Sequence, residues 1–183
     1  MYCGNAAGYL IPPYVVYKAE SMWTTWTDNG PSGARYNRSK RGWFDSVCFE
    51  DWFQAMLLPE LKKFPEKHVL IGDNLSSHIN PAVLELCEEN NIKFVALPPK
   101  STHLMQPLDV AFFRPLKVSW RKILTEWKEK GKGRKAPSLP KDQFPTLLKL
   151  LTNRIGENGC ESLISGFRKC AQYTCICICE FSF

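Results

Sequence analysis

HVLIGDNLSSHINPAVLELCEENNIKFVALPP, residues 68–99, decides how this chain is read. His68-Val69-Leu70-Ile71-Gly72 is a short apolar run bounded by Asp73, the pattern of a strand buried on both faces. A polar turn, Asn74 to Asn80, follows. Pro81 suits the first turn of a helix, where its missing N–H has no partner to lose. Ala82, Val83, Leu86 and Cys87 carry that helix to Asn90-Asn91. Ile92 to Leu97 is a second strand, ended by Pro98-Pro99. Strand, helix and strand with short links make a βαβ unit, which predicts a parallel pair joined by a right-handed crossover.

Upstream, Tyr9 to Lys18 (YLIPPYVVYK) is rich in β-formers and follows a glycine-flanked turn, so it reads as the second arm of a hairpin whose first arm lies near Met1–Cys3. Pro12-Pro13 places that arm at an edge or a bulge. Met22 to Trp43 reads as a structured loop. Asp45 or Ser46 then caps a helix running to about Lys63, with Val47, Phe49, Phe53, Met56, Leu57 and Leu61 at helical spacing. Downstream, a loop from Lys100 to Pro107 leads into a long helix starting near Leu108 or Asp109, whose Phe112, Leu116, Trp120, Ile123 and Trp127 form one apolar stripe. Gly131 to Pro140 is a basic linker, and Gln143 to Ile155 a second helical stretch. The expectation is an α/β fold: a mixed sheet flanked by helices over residues 1–130, a linker at 131–142, and a C-terminal helical segment with a Cys-rich tail at 143–183.

Hydrophobic residues make up 44% of the 183, with 6 Trp and 11 Phe, enough for a real core. No apolar run is long enough for a transmembrane helix, and the N-terminus does not read as a signal peptide. The 8 Cys are therefore expected as reduced thiols. The net charge of +6 is concentrated. Arg114, Lys117, Arg121, Lys122, Lys128, Lys130, Lys132, Arg134 and Lys135 face only Glu126 and Glu129 in the same stretch. Such a run suits a polyanion such as DNA. It is equally the composition of a solvated helix face followed by a basic loop. Nothing points to a small-molecule substrate or a membrane.

Two carboxylates stand out by position. Asp73 follows the buried strand and Asp109 opens the long helix, and ligand sites of such sheets lie where strands end and helices begin. Converging carboxylates bind hard divalent cations, and a pair of such ions promotes phosphodiester displacement. The plain alternatives are that Asp73 bonds loop amides and Asp109 caps its helix.

The neighbouring residues carry a resemblance. Gly72-Asp73-Asn74-Leu75-Ser76-Ser77-His78 resembles the Asp-Asn-x-x-x-His signature of pogo/Tigger-type DDE transposases, relatives of jerky and centromere protein B. Leu97-Pro98-Pro99-Lys100-Ser101-Thr102-His103-Leu104-Met105-Gln106-Pro107-Leu108-Asp109 is similar to their Leu-Pro-Pro-x-(Ser/Thr)-Thr-x-x-x-Gln-Pro-Leu-Asp segment. Trp26, Gly30-Pro31, Gly33-Ala34, Tyr36, Ser39-Lys40 and Gly42-Trp43 resemble the family's upstream loop, and Ser165-Gly166-Phe167-Arg168 its closing motif. The resemblance implies a ribonuclease-H-like core, metal-dependent DNA cleavage and strand transfer with Mg²⁺ or Mn²⁺, and a nuclear location. Asp73 would be the second carboxylate and Asp109 the third, with Asn74 and His78 flanking metal and phosphate.

The family's first Asp sits on a strand ahead of the hairpin, in an Asn-x-Asp-Glu-Thr-like stretch, with a helix-turn-helix before it. Neither occurs in this sequence. The expectations are a missing first strand, an unpaired sheet edge beside residues 1–3, weak metal binding and no catalysis by the chain alone. The tail also departs: Cys175-Ile176-Cys177-Ile178-Cys179 alternates where the family continues otherwise, which reads as out-of-family sequence or, less in keeping with zinc spacing, a soft-metal site. The alternative to a transposase endonuclease is a host-recruited, non-catalytic nuclear module for DNA or protein binding.

Overall fold

The pleat of the first strands sets the layers. In the computed structural model, which describes residues 1–64, 67–72, 81–170 and 176–179, β1 (Tyr2–Asn5) pairs antiparallel with β2 (Leu10–Ile11). Asn5 Oδ1 closes the turn, accepting from the backbone N–H of Ala7 at 3.1 Å and of Tyr9 at 2.9 Å, while Gly8 supplies a positive φ of 87°. Successive strand residues point to opposite faces. Met1 and Cys3 accordingly enter one core and Tyr2 the other.

The expected second arm of the hairpin is divided. Pro12-Pro13 lacks the N–H groups to continue the ladder, so the chain turns away and β3 (Tyr14–Lys18) joins a separate two-stranded sheet, parallel to β4 (Arg35–Ser39). β4 lies inside the stretch expected as loop; Arg35-Tyr36-Asn37-Arg38-Ser39 has no apolar alternation and becomes a strand through its pairing with β3. Tyr14 again faces one core, and Val15 and Tyr17 the other.

The βαβ unit forms as expected. β5 (His68–Gly72) runs parallel to β6 (Ile92–Ala96), in register from His68–Ile92 to Gly72–Ala96, with α3 (Pro81–Glu89) preceding β6. Between this unit and the hairpin lies β7 (Ile176–Cys179), antiparallel to β1 and parallel to β5, giving the order β2-β1-β7-β5-β6. The expected unpaired edge beside β1 is therefore corrected: the alternating Ile/Cys tail borders it, with Tyr2 opposite Cys179 and Asn5 opposite Ile176.

Helices cover both faces. α1 (Ser46–Trp52) starts where Asp45 accepts a hydrogen bond from the Cys48 N–H at 2.9 Å. It continues through a π-helical turn (Phe53–Leu57) into α2 (Leu58–Leu61), burying Phe49, Trp52, Phe53 and Leu57 against Tyr14, Leu70 and Val83. On the other face, α4 (Thr102–Met105) leads to a second π-helical turn (Leu108–Phe112), α5 (Phe113–Glu129) and a 3-10 turn (Gly131–Lys135). α6 (Phe144–Lys169) outruns the helix expected to end at Ile155; Gly156, at φ 38°, kinks it and the second half resumes. Its Leu147, Leu148, Leu151, Leu163 and Phe167 share one core with Tyr2, Leu108, Leu116 and Ile123. Cys48 and Cys87 are buried free thiols. Burial pushes Cys48 up to about 12 and Cys87 up to about 11, so both stay protonated and unreactive at neutral pH.

A polar bracket fastens the β3–β4 ribbon to α1. The Arg35 guanidinium donates to both Asp51 oxygens, at 2.8 and 2.6 Å, the Tyr14 hydroxyl donates to Asp51 at 2.6 Å, and the Asn37 amide donates to the Tyr14 oxygen at 2.7 Å. The Arg35 hydrogen bond, aided by Tyr14 and Asn37, holds the Asp51 carboxyl below the usual carboxylate range. A depressed folded-state pKa adds stability that is fully present above the unfolded value of about 3.9 and is lost as pH falls through the lower folded value. Asp51→Asn should therefore lower stability by about 1–2 kcal/mol at pH 7, after allowance for the partial exposure of Arg35. The gap between variant and wild type should close as pH drops below about 4, read by urea unfolding at stepped pH. Ile178→Pro removes an N–H from the middle of the sheet; it should lower the unfolding midpoint strongly, whereas an unchanged midpoint would show that β7 does not hold the sheet together.

Candidate functional site

Asp109 sits on the first turn of the long helical arm, and three contacts fix that turn. Gln106 and Leu108 are buried, at 2% and 0% exposure. The Gln106 carbonyl accepts from the Val110 N–H at 3.1 Å, and the Leu108 carbonyl accepts from the Phe113 N–H five residues on, which makes the turn π-helical. Phe112 and Phe113 meet the Tyr2 ring at centroid distances of 5.7 and 6.1 Å. With the apolar residues of Leu108–Phe113 turned inward, Asp109 is left exposed.

The closing motif of the sequence explains the third contact. Gly166 of α6 lies against the Pro107 backbone, and a Cβ at Gly166 would collide with the Pro107 carbonyl oxygen. The next turn of α6 ties down α4: the Cys170 thiol donates to the Leu104 carbonyl at 3.5 Å. α6 therefore holds the loop that carries Asp109. This role was not legible in Ser165-Gly166-Phe167-Arg168, whose only sequence signal is a glycine inside a helix. π-turns of this kind recur at functional sites because they re-aim side chains without ending a helix.

β5 is the strand that precedes the other half of the expected site in sequence. Gly72 ends that strand level with Ala96, and its carbonyl accepts from Leu97 N–H at 2.8 Å. The following Pro98–Ser101 turn is closed by Ser101 Oγ donating to the Pro98 carbonyl at 2.7 Å, with Lys100 at a positive φ of 62°. The π-helical turn bearing Asp109 lies against β7, the strand beside β5. Asp73, Asn74 and His78 lie outside the described residues. His103 is exposed on α4. Among the described residues no three His, Cys, Asp or Glu side chains cluster as a metal site. Asp45 serves as the α1 cap.

The basic stretch is organised by α5. Arg114, Lys117, Arg121 and Lys128 are exposed and recur every three, four and seven positions, which aligns them on one stripe of the helix. The apolar Phe113, Leu116, Trp120 and Ile123 occupy another stripe and are buried. Glu126, one of the two acids nearby, is engaged elsewhere: Arg154 of α6 donates to it at 2.6 Å, and that bond holds its carboxyl below the ordinary range. Lys122, Lys130, Arg134 and Lys135 are also exposed, and Lys132 belongs to the 3-10 turn.

Gly166→Ala tests the clamp on the Asp109 turn. Overpacking against backbone should lower stability by roughly 1–3 kcal/mol, measured by urea unfolding. Stability equal to wild type would mean that α6 does not set the position of Pro107.

The profile of the DDE superfamily endonuclease family matches residues 1–153. A protein named "Pogo transposable element with KRAB domain" from Mus musculus is 27% identical over 170 residues, which is 90% of this chain and 27% of that protein. The Homo sapiens protein of the same name is 26% identical over the same shares. A Cochliobolus lunatus protein named "MFS-type transporter clz9" is 34% identical over 118 residues, 63% of this chain and 13% of that protein. Among the described residues, no helix is long and apolar enough to cross a membrane. The chain thus spans about a quarter or less of the length of the curated relatives it matches. No solved structure matches. With a mixed α/β fold and a match over most of its length, this chain belongs to the DDE superfamily endonuclease family.

Proposed function

We propose that this chain is a transposon-derived DNA endonuclease and integrase domain of ribonuclease-H-like architecture, in which Asp73 and Asp109 are two of the acidic residues of the cleavage site. The observation that carries this reading is the Asp109 turn. An exposed carboxylate stands ahead of α5 on a turn whose Pro107 packs on Gly166 and whose Phe112 packs on Tyr2, and that turn lies beside the strand next to β5. The family match supports it independently.

Hard carboxylate oxygens are the donors that Mg²⁺ or Mn²⁺ prefers, so Asp73 and Asp109 would hold the metal. When bound, the metal supplies charge stabilisation and an activated water or 3′-hydroxyl for in-line displacement. Asn74 and His78, adjoining Asp73 in sequence, would orient phosphate or metal-bound groups by hydrogen bonding. The stripe of Arg114, Lys117, Arg121 and Lys128 would contact DNA phosphates along the helix that Asp109 opens. That arrangement delivers the backbone to the carboxylate by charge, without reading sequence. A chain acting on chromosomal DNA would work in the nucleus. The non-catalytic reading keeps one support of its own, because the exposed basic stripe can bind DNA whether or not cleavage follows.

Two carboxylates offer fewer anionic oxygens than a pair of divalent ions requires. The expected outcome for the purified 183-residue chain is DNA binding without plasmid nicking in Mg²⁺. Nicking that Asp73→Ala or Asp109→Ala abolishes would overturn the inactivity while supporting the site assignment; nicking that survives both variants would overturn the assignment. Binding to duplex DNA should weaken steeply with salt, and each of Arg114→Ala and Arg121→Ala should reduce the slope of log K against log salt by about 1. A slope untouched by these changes would remove the stripe from the interface.

A further inference from the structure

The loops leaving the C-terminal ends of β3 and β4 carry two tryptophans that the fold does not bury. Trp23 and Trp43 are each 67% exposed, whereas Trp52 and Trp120 are core residues. β3 and β4 are parallel and in register up to Lys18–Ser39, so both loops leave one end of the ribbon. They are held side by side: Ala19 N–H donates to the Ser39 carbonyl at 3.1 Å and Arg38 Nε to the Glu20 carbonyl at 2.6 Å. The backbone under Trp43 is specified too. Ser39 Oγ donates to the Trp43 carbonyl at 2.7 Å, and Gly42, at φ 76°, packs on Lys18. The chain thus fixes the backbone that carries an indole and leaves that side chain largely in solvent.

Behind Trp43 opens a cavity of about 490 Å³, bordered by Lys18, Arg41, Trp43, Phe44, Trp120 and Lys141 among others. Its lining contains three cations and no Asp or Glu. Lys141, one of the lining residues, donates to the Lys18 carbonyl at 2.6 Å and lies 4.3 Å from the Trp26 ring centroid. A lining of aromatic and aliphatic residues with three cationic side chains and no carboxylate complements a planar heteroaromatic ring bearing a phosphate. Base-paired DNA hides its ring faces in the stack, and an unpaired nucleotide presents one. Trp120 also belongs to α5, so the cavity adjoins the helix that carries the basic stripe.

We propose that this cavity, with Trp43 at its mouth and Trp23 on the adjacent loop, binds an unpaired nucleotide of a DNA strand whose duplex part lies along α5. The site deepens the DNA-processing function and rests on it. Trp43 would stack on the base and Arg41, Lys18 and Lys141 would meet the phosphates.

Fluorescence anisotropy with the full chain decides the matter, comparing a labelled blunt duplex with the same duplex bearing a short single-stranded overhang. The overhang should bind roughly tenfold tighter, a ratio in keeping with base stacking on an aromatic side chain. Trp43→Ala should bring the ratio to about one and Trp43→Phe should keep most of it; circular dichroism confirms that each variant is folded. Equal binding of both DNAs by wild type, or a ratio that Trp43→Ala leaves intact, overturns the nucleotide site and leaves the basic stripe standing. Binding of the overhang without the blunt duplex supports the nucleotide site and sinks the stripe. Binding of neither sinks both. A deoxynucleoside monophosphate that binds alone as tightly as the overhang would assign the cavity to a free nucleotide and overturn the strand proposal.

Discussion

Backbone hydrogen bonding at the centre of the larger sheet is the constraint on which the rest of this structure depends. The hairpin β1–β2 and the parallel pair β5–β6 do not pair with each other; each pairs with β7. A strand covered on both faces has no water to satisfy its N–H and C=O groups, so its ladder must be completed by protein. β7 completes it on two sides at once, antiparallel to one neighbour and parallel to the other. The helices follow from that geometry. Because alternate residues of β1 and β3 point to opposite faces, two apolar surfaces must be covered. α1, α2 and α3 cover one; α5 and α6 cover the other.

The candidate site is a by-product of the second of these cores. Asp109 is exposed, yet its neighbours Gln106, Leu108 and Phe112 are among the most buried of the described residues. The turn that carries it is held by Tyr2 of the sheet packing on Phe112, by Gly166 of α6 packing on Pro107, and by the buried Leu108. An exposed acid on so well-packed a turn has little freedom to move, which suits a metal-binding role. The same packing separates the stripes of α5, leaving Arg114, Lys117, Arg121 and Lys128 outward and continuous with the end of the helix that Asp109 opens. Charge and carboxylate are thus placed on one element by one hydrophobic pattern.

The polar bracket of Tyr14, Arg35, Asn37 and Asp51 does comparable work for the small sheet. A two-stranded ribbon is marginal by itself. Here the ribbon is sandwiched, with Tyr14 turned towards α1 and Tyr17 stacked on Tyr36 at 6.1 Å and edge-on to Phe144 at 6.0 Å. Its far end is then stiff enough to display Trp23 and Trp43 in solvent.

Residues 68–99 determined the parallel βαβ unit by themselves, because Val69-Leu70-Ile71 and Ile92 to Leu97 are apolar runs of strand length separated by one amphipathic helix. Phe112 to Trp127 determined the buried stripe of α5 in the same way, and Asp45 the start of α1. These are local codes, in which spacing and capping chemistry speak for a few consecutive turns. The motifs around Asp73 and Asp109 carried the family resemblance in the order and spacing of their residues. Only the tertiary structure decided the remainder. Arg35–Ser39 became a strand because β3 stood beside it, the helix begun at Phe144 ran past Gly156 because its second half had Tyr2 and Pro107 to pack on, and Ile176–Cys179 entered the sheet because a ladder between β1 and β5 had to be filled. Each depends on a partner distant in sequence, and hydrogen bonds or close approaches across such distances leave no periodicity in the chain that makes them.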